Sequence, residues 1–177
     1  MDDRAVRDVR DVRDDRDDRD PRDEQTEESD GDELVPTTTV PSGPIVVGIG
    51  ASAGGIQALQ AFFDALPEQI GAAFVVVVHL SPEHRSALPS ILATRTSMPV
   101  EQVTSTIPLE GNHVYVIPPD RRLEITDSSV AAIPFDEPRG RRAPIDQFFR
   151  SLAAQHSDGF AVVLSGGGTD GAIGVKA

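Results

Sequence analysis

The strongest constraint on the fold is that apolar segments of two different periods alternate along residues 45–177. Residues 45–49 and 74–78 are short runs that are apolar on both faces, which is typical of central strands in a parallel sheet. Between them, residues 54–66 carry apolar side chains at helical spacing. A strand, a helix and a second strand in this order predict an α/β fold, with a doubly wound, mostly parallel sheet flanked by helices.

The remaining segments extend this pattern. The apolar spacing predicts a short helix over residues 88–94, strands over 114–117 and 123–133, a helix over 144–155 and a strand over 160–164. The second of these strands is interrupted at Asp127 and Ser128, which predicts a small hairpin. Pro144 suits the first turn of a helix, because the N–H group that proline lacks has no intrahelical partner there.

The first 34 residues have a different composition. They hold 16 acidic residues and 7 arginines, a net charge of −9 out of −13 for the whole chain. The arginines recur at every third position, a spacing that fits neither a helix nor a strand, and few apolar side chains accompany them. Such a segment cannot bury enough surface to offset the loss of chain entropy. We therefore predict a disordered tail and linker over residues 1–43 and a folded domain over residues 44–177.

Composition also argues against several classes of protein. The chain has no cysteine, so disulfides and thiolate metal sites are ruled out, and we expect neither a metal nor a cofactor. Outside the tail the net charge is −4, so no nucleic-acid partner is expected. The longest apolar run, residues 72–78, is far shorter than the about 20 residues that span a membrane. With a charged N-terminus in place of a signal peptide, these features predict a cytoplasmic protein without membrane insertion.

Polar side chains follow three of the predicted strands, where each strand ends. These side chains are Ser52, His79 and Asp170. Because the carboxyl ends of parallel strands meet at one edge of a sheet, we expect them to lie close together. A serine hydroxyl needs a neighbouring base to become a nucleophile, and that base needs an acid to orient it. The three strand ends therefore predict a nucleophilic serine site.

The glycine-rich segment GIGASAGG, residues 48–55, allows two interpretations. Glycine this dense indicates that the backbone turns sharply and approaches another group closely. The spacing partly fits a dinucleotide-binding turn, which however also needs an acidic residue at the end of the second strand, where this chain has His79. The same glycines fit a strand-to-helix turn that exposes Ser52 as a nucleophile. Both a nucleotide-binding domain and a serine hydrolase stay open.

Four segments, VVGIGASAGGIQAL, VVVVHLSPEH, NHVYVIPP and VVLSGGGTDGAIG, resemble in this order the catalytic domain of the CheB chemotaxis methylesterases. The resemblance covers roughly residues 45–177 and is closest to the methylesterase half of methylesterase–methyltransferase fusions. It implies hydrolysis of glutamate methyl esters on the cytoplasmic helices of chemoreceptors, with deamidation of glutamine in some members. It also implies a methyltransferase, fused or separate, as a partner.

The resemblance assigns roles to individual residues. It implies Ser52 as nucleophile, His79 as base and Asp170 as acid. Oxyanion binding or support falls to Ala53, Gly54 and Gly167, with Ala53 standing where many members have threonine and Gly167 where methionine is frequent. The family's domain continues with further helix and strand material, so an incomplete, inactive remnant is a third interpretation. The cluster Arg139, Arg141 and Arg142 either meets acidic receptor helices or is merely solvated.

Overall fold

The computed structural model describes residues 43–79, 86–126, 128–164 and 168–177, and eight strands and three α-helices lie within these ranges. The strands are β1 (Val46–Ala51), β2 (Ala73–Val78), β3 (Val100–Gln102), β4 (Ile107–Pro108), β5 (His113–Val116), β6 (Arg122–Thr126), β7 (Ser129–Ile133) and β8 (Phe160–Leu164). The helices are α1 (Ile56–Asp64), α2 (Leu88–Leu92) and α3 (Pro144–Gln155). Residues 1–42 of the predicted tail and linker lie outside the described ranges.

Five of these strands form one parallel sheet in the order β3-β5-β2-β1-β8. A second, antiparallel sheet has the order β4-β7-β6, and its β6–β7 pair is the predicted hairpin. The predicted α/β fold with a mostly parallel sheet is confirmed. Strands β3 and β4 were not predicted, because strands of three and two residues with exposed positions carry no periodic apolar signal.

Strand β2 lies at the centre of the core, and all six of its residues are buried. Its side chains alternate between two apolar clusters, as strand geometry requires. Ala73, Val75 and Val77 face the cluster that contains α3 and the small antiparallel sheet. Phe74, Val76 and Val78 face the cluster that contains α1 and α2. The continuous apolar run in the sequence thus reflects burial on both faces of the sheet.

The glycines of β1 determine how closely α3 packs on the sheet. A Cβ atom at Gly48 would lie only 2.8 Å from Phe148 Cε1, and one at Gly50 would overlap the Cγ2 methyl group of Ile145. Both glycines lie inside β1, as predicted for Gly48 but not for Gly50, so the sharp turn begins after them. The expected close approach is present, and its partner is α3. Glycine is required both where a helix and where a ligand approaches the backbone closely, so the sequence alone does not tell which of the two is present.

Several element boundaries differ from the predictions. Strand β1 continues two residues beyond the predicted 45–49, and a short 3₁₀ turn, Ala53–Gly55, precedes α1. Helix α2 ends at Leu92 instead of residue 94. In the part of the chain that the structure describes, no helix combines the length and apolarity needed to cross a bilayer.

Substituting Gly50 by alanine tests the packing of α3 on β1. The added methyl group would overlap Ile145 and lie 3.3 Å from the Phe149 ring. We therefore expect the free energy of unfolding, measured in urea, to fall by about 1–3 kcal/mol. Gly140→Ala is the matched control: a Cβ there meets no atom within 4 Å, so its effect should stay within about 0.5 kcal/mol. Equal stability of the two variants would contradict this packing.

Candidate active site

A cleft with a volume of about 520 Å³ lies at the carboxyl edge of the parallel sheet. Three neighbouring strands end beside it: Ser52 follows β1, His79 follows β2 and Asp170 lies in the segment after β8. All three side chains line this cleft. The structure therefore brings together the three residues that the strand ends singled out.

Ser52 occupies the junction between β1 and the 3₁₀ turn. Its backbone is extended, with φ −80° and ψ 171°, so the chain passes from strand to helix without a left-handed residue. The N–H group of Gly55 donates to the carbonyl oxygen of Ser52 at 2.8 Å. The first N–H groups of a helical turn have no intrahelical acceptor, and Ala53 and Gly54 supply such groups directly after the hydroxyl-bearing residue. Gly54 also lines the cleft.

The carboxylate of Asp170 is held by the N-terminus of α3. Its Oδ1 accepts a hydrogen bond from the N–H group of Asp146 at 2.9 Å, and its Oδ2 accepts one from the N–H group of Ile145 at 3.2 Å. These N–H groups belong to the first helical turn, where a negative charge is favourable. Each oxygen keeps a further lone pair for another donor.

Asp146, in turn, accepts hydrogen bonds from the segment that carries Asp170. Its Oδ1 accepts hydrogen bonds from the N–H groups of Gly171 at 2.9 Å, Ile173 at 3.1 Å and Gly174 at 2.6 Å. Asp146 is only 8% exposed, and among the described residues it is the one charged side chain that is buried. We call this pair of carboxylates, Asp146 and Asp170 with the N–H groups that they accept, the carboxylate clasp. It fixes the segment after β8 to α3.

Asp146 was not among the predicted site residues. In sequence it is an acidic residue in the first turn of a helix, a placement that the helix dipole alone explains. Its partners lie 25 to 28 residues away along the chain, so no local pattern could have indicated them.

Burial raises the pKa of Asp170 above its ordinary value of 3.8. The hydrogen bonds from the backbone of Asp146 and Ile145 act in the opposite direction, as does the charge of His79, while the negative charge of Asp146 adds to the increase. The histidine and the aspartate are thus close enough to interact electrostatically, and burial is the largest of these effects.

The remaining predicted site residues can be placed only in part. Gly54 lines the cleft and Ala53 begins the 3₁₀ turn, whereas Gly167 lies outside the described residues. The dinucleotide interpretation needs its second glycine for a phosphate group, but here Gly50 faces Ile145. Among the described residues, no group of three or more His, Asp or Glu side chains is placed to hold a metal ion.

The fold and the cleft define a class: α/β proteins in which a serine, a histidine and an aspartate meet at the carboxyl edge of a parallel sheet. Within that class the chain belongs to the CheB methylesterase family, whose family model matches residues 47–177.

Individual relatives agree with this membership. A protein-glutamate methylesterase/protein-glutamine glutaminase of Burkholderia orbicola is 35% identical over 150 residues, which are 81% of this chain and 44% of that protein. One from Myxococcus xanthus is 33% identical over 141 residues, 75% of this chain and 38% of that protein. The crystal structure of the Thermotoga maritima CheB methylesterase catalytic domain is similar with a TM-score of 0.64 and 28% identity, covering 76% of this chain and 75% of that one. The chain spans less than half the length of the two methylesterase/glutaminase relatives.

Asp146→Ala should release the segment after β8 from α3. The change removes the acceptor of three N–H groups, so we expect the free energy of unfolding to fall by about 2–4 kcal/mol. Asp146→Asn is the matched control, because it keeps an oxygen where the three N–H groups converge and should lose less than half as much. Urea unfolding measures both, and faster amide exchange at Gly171 and Gly174 in the alanine variant locates the change. Equal losses would contradict the role of the acceptor.

The raised pKa of Asp170 can be measured by following its carboxyl carbon in an NMR titration. We expect a midpoint above 3.8 and a lower midpoint in Asp146→Asn, which removes a neighbouring negative charge. The pKa of Asp170 is higher in the folded than in the unfolded state, so protonated Asp170 favours folding. Its contribution to stability is fully present at pH values below the unfolded-state pKa, and it is lost as pH rises through the folded-state pKa. A midpoint at or below 3.8 in the unmodified chain would show that burial does not dominate.

Proposed function

We propose that this chain is the catalytic part of a serine hydrolase that removes methyl esters from glutamate side chains of chemoreceptors. The observation that carries the proposal is the common cleft lined by Ser52, His79 and Asp170, in a family whose relatives are named as protein-glutamate methylesterases. The natural site of action is the cytoplasm, where the signalling helices of chemoreceptors lie.

In the first step, the Ser52 hydroxyl attacks the ester carbonyl while His79 removes the hydroxyl proton. A tetrahedral intermediate forms, and its oxygen becomes negatively charged. The N–H groups of Ala53 and Gly54 follow the nucleophile directly and are the candidates to bind this oxygen; such a donor typically contributes about 2.7–4 kcal/mol. Gly167 remains a candidate from the sequence alone.

In the second step, the bond between the former carbonyl carbon and the methoxy oxygen breaks, and His79 gives its proton to that oxygen. Methanol leaves, and the glutamate side chain remains as an ester of Ser52. A water molecule then repeats the attack with His79 as base. The serine is freed, and the product is a glutamate carboxylate.

Asp170 orients the imidazole of His79 and stabilises the imidazolium that forms in each step. The carboxylate clasp supports this role, because both oxygens of Asp170 are positioned by backbone N–H groups and retain lone pairs for the ring. An orienting acid that is itself held in place needs little reorganisation during the reaction.

The lining of the cleft suits a short alkyl ester. Ile145, Val163 and Leu164 supply apolar surface, while Ser52 and Thr169 supply hydroxyl groups. The relatives are also named as protein-glutamine glutaminases, and we extend the proposal to glutamine, from which the same steps release ammonia. A methyltransferase, fused or separate, is the proposed source of the esters.

Release of methanol from a peptide that contains glutamate γ-methyl ester tests the proposal. Ser52→Ala should lower kcat by roughly 10⁴-fold or more, because it removes the nucleophile. Ser157→Ala, a change of the same kind at an exposed serine, should leave kcat unaltered. Hydrolysis that survives in the Ser52 variant would refute the assignment.

A fluorophosphonate probe supplies an independent readout. Such probes label activated serines, so we expect labelling of the unmodified chain and of the Ser157→Ala variant but not of Ser52→Ala. Loss of labelling in His79→Ala would link the reactivity of the serine to its base. Absence of labelling in the unmodified chain would contradict an activated serine.

A further inference from the structure

A second pocket, with a volume of about 140 Å³, adjoins the catalytic cleft. His79 lines both, and Pro144 of this pocket precedes Ile145 of the cleft in the chain. We call it the arginine pocket, defined by Arg121, Arg139 and Arg142 with Asp120 and Phe135.

One arginine of the pocket is rigidly positioned. The Nη1 atom of Arg142 lies 2.5 Å from Asp120 Oδ1, and its Nε donates to the carbonyl oxygen of Glu137 at 3.1 Å. Its guanidinium carbon lies 4.5 Å from the centroid of the Phe135 ring, in the geometry of a cation–π contact. These contacts fix Arg142 at the pocket wall, and Asp120 balances its charge.

The other two arginines leave the pocket positively charged. Arg121 and Arg139 are exposed, and three guanidinium groups against one carboxylate leave an excess of two positive charges among the lining side chains. Outside the lining, the carboxylate of Glu137 accepts a hydrogen bond from Gln147 Nε2 at 2.6 Å and interacts electrostatically with Arg142, so it offsets part of this excess. This excess is local, because the chain as a whole has a net charge of −13.

We propose that the arginine pocket is a subsite for a carboxylate side chain of the substrate protein, near the ester that enters the cleft. The inference rests on the proposed function, since the ester must occupy the cleft beside His79. An acidic enzyme repels an acidic substrate unless a local positive site offsets the repulsion. Guanidinium groups are the side chains best suited to a carboxylate, because they can donate two parallel hydrogen bonds.

Two peptides distinguish this subsite from general electrostatics. Both contain glutamate γ-methyl ester; in one it is flanked by glutamates and in the other by glutamines of nearly the same shape. We expect the unmodified chain to favour the glutamate-flanked peptide by about five- to tenfold in kcat/KM, through KM. The double variant Arg121→Gln/Arg139→Gln should lose this preference while kcat changes by less than about twofold.

The matched control is Arg95→Gln/Arg150→Gln, which removes two positive charges at exposed positions outside the pocket. It should retain the preference for glutamate-flanked peptide. An equal loss in both double variants, or the absence of any preference in the unmodified chain, would overturn the subsite.

Fluorescence anisotropy with labelled peptides keeps the subsite testable apart from catalysis. The probes are the two peptides with free glutamate in place of the ester. Weaker binding of the glutamate-flanked probe to the pocket variant than to the control variant supports the subsite, and equal binding overturns it. If neither ester peptide is hydrolysed, the proposed function fails, and these titrations still decide whether the pocket binds a carboxylate.

Discussion

The candidate site depends on the carboxylate clasp more than on any other interaction. Asp170 accepts hydrogen bonds from the first turn of α3, and Asp146 in that turn accepts three from the segment that carries Asp170. Neither carboxylate could be buried without these donors, because an ionised group that leaves water must be hydrogen-bonded or paired. The position of the proposed acid is thus determined by the position of one helix.

The position of that helix depends in turn on two glycines of β1, Gly48 and Gly50. Gly48 and Gly50 let Phe148, Phe149 and Ile145 reach the strand backbone, and burying such side chains contributes about 1.5–3 kcal/mol each. The glycine-rich segment therefore has two tasks. Its first half brings α3 close to the sheet, and its second half forms the turn that carries Ser52. Residues 48–55 thus serve both the packing of α3 and the placement of Ser52.

Sequence alone predicted what depends on local pattern and on the general geometry of parallel sheets. The burial of β2 followed from its apolar run, and the gathering of Ser52, His79 and Asp170 on one cleft followed from their places at strand ends. It could not predict the role of Asp146, whose partners are distant in the chain, or the short strands β3 and β4. The close approach at Gly48 and Gly50 was expected, but its partner, α3, was not, because that contact is tertiary. Long-range hydrogen bonds and close packing produce no periodic pattern in the amino-acid sequence.

Helix N-termini give the site its electrostatic character. One helical turn begins directly after Ser52, and α3 begins at Pro144, where its first N–H groups donate to the carboxylate of Asp170. Both turns therefore present N–H groups at the carboxyl edge of the sheet. The first set is the one that we propose for the developing oxyanion, and the second donates to the carboxylate of Asp170, the proposed acid. Because these donors are backbone groups held by secondary structure, they need little reorganisation when charge develops. The same edge therefore offers backbone donors both to the Asp170 carboxylate and, in the mechanism that we propose, to the negative charge that develops beside Ser52.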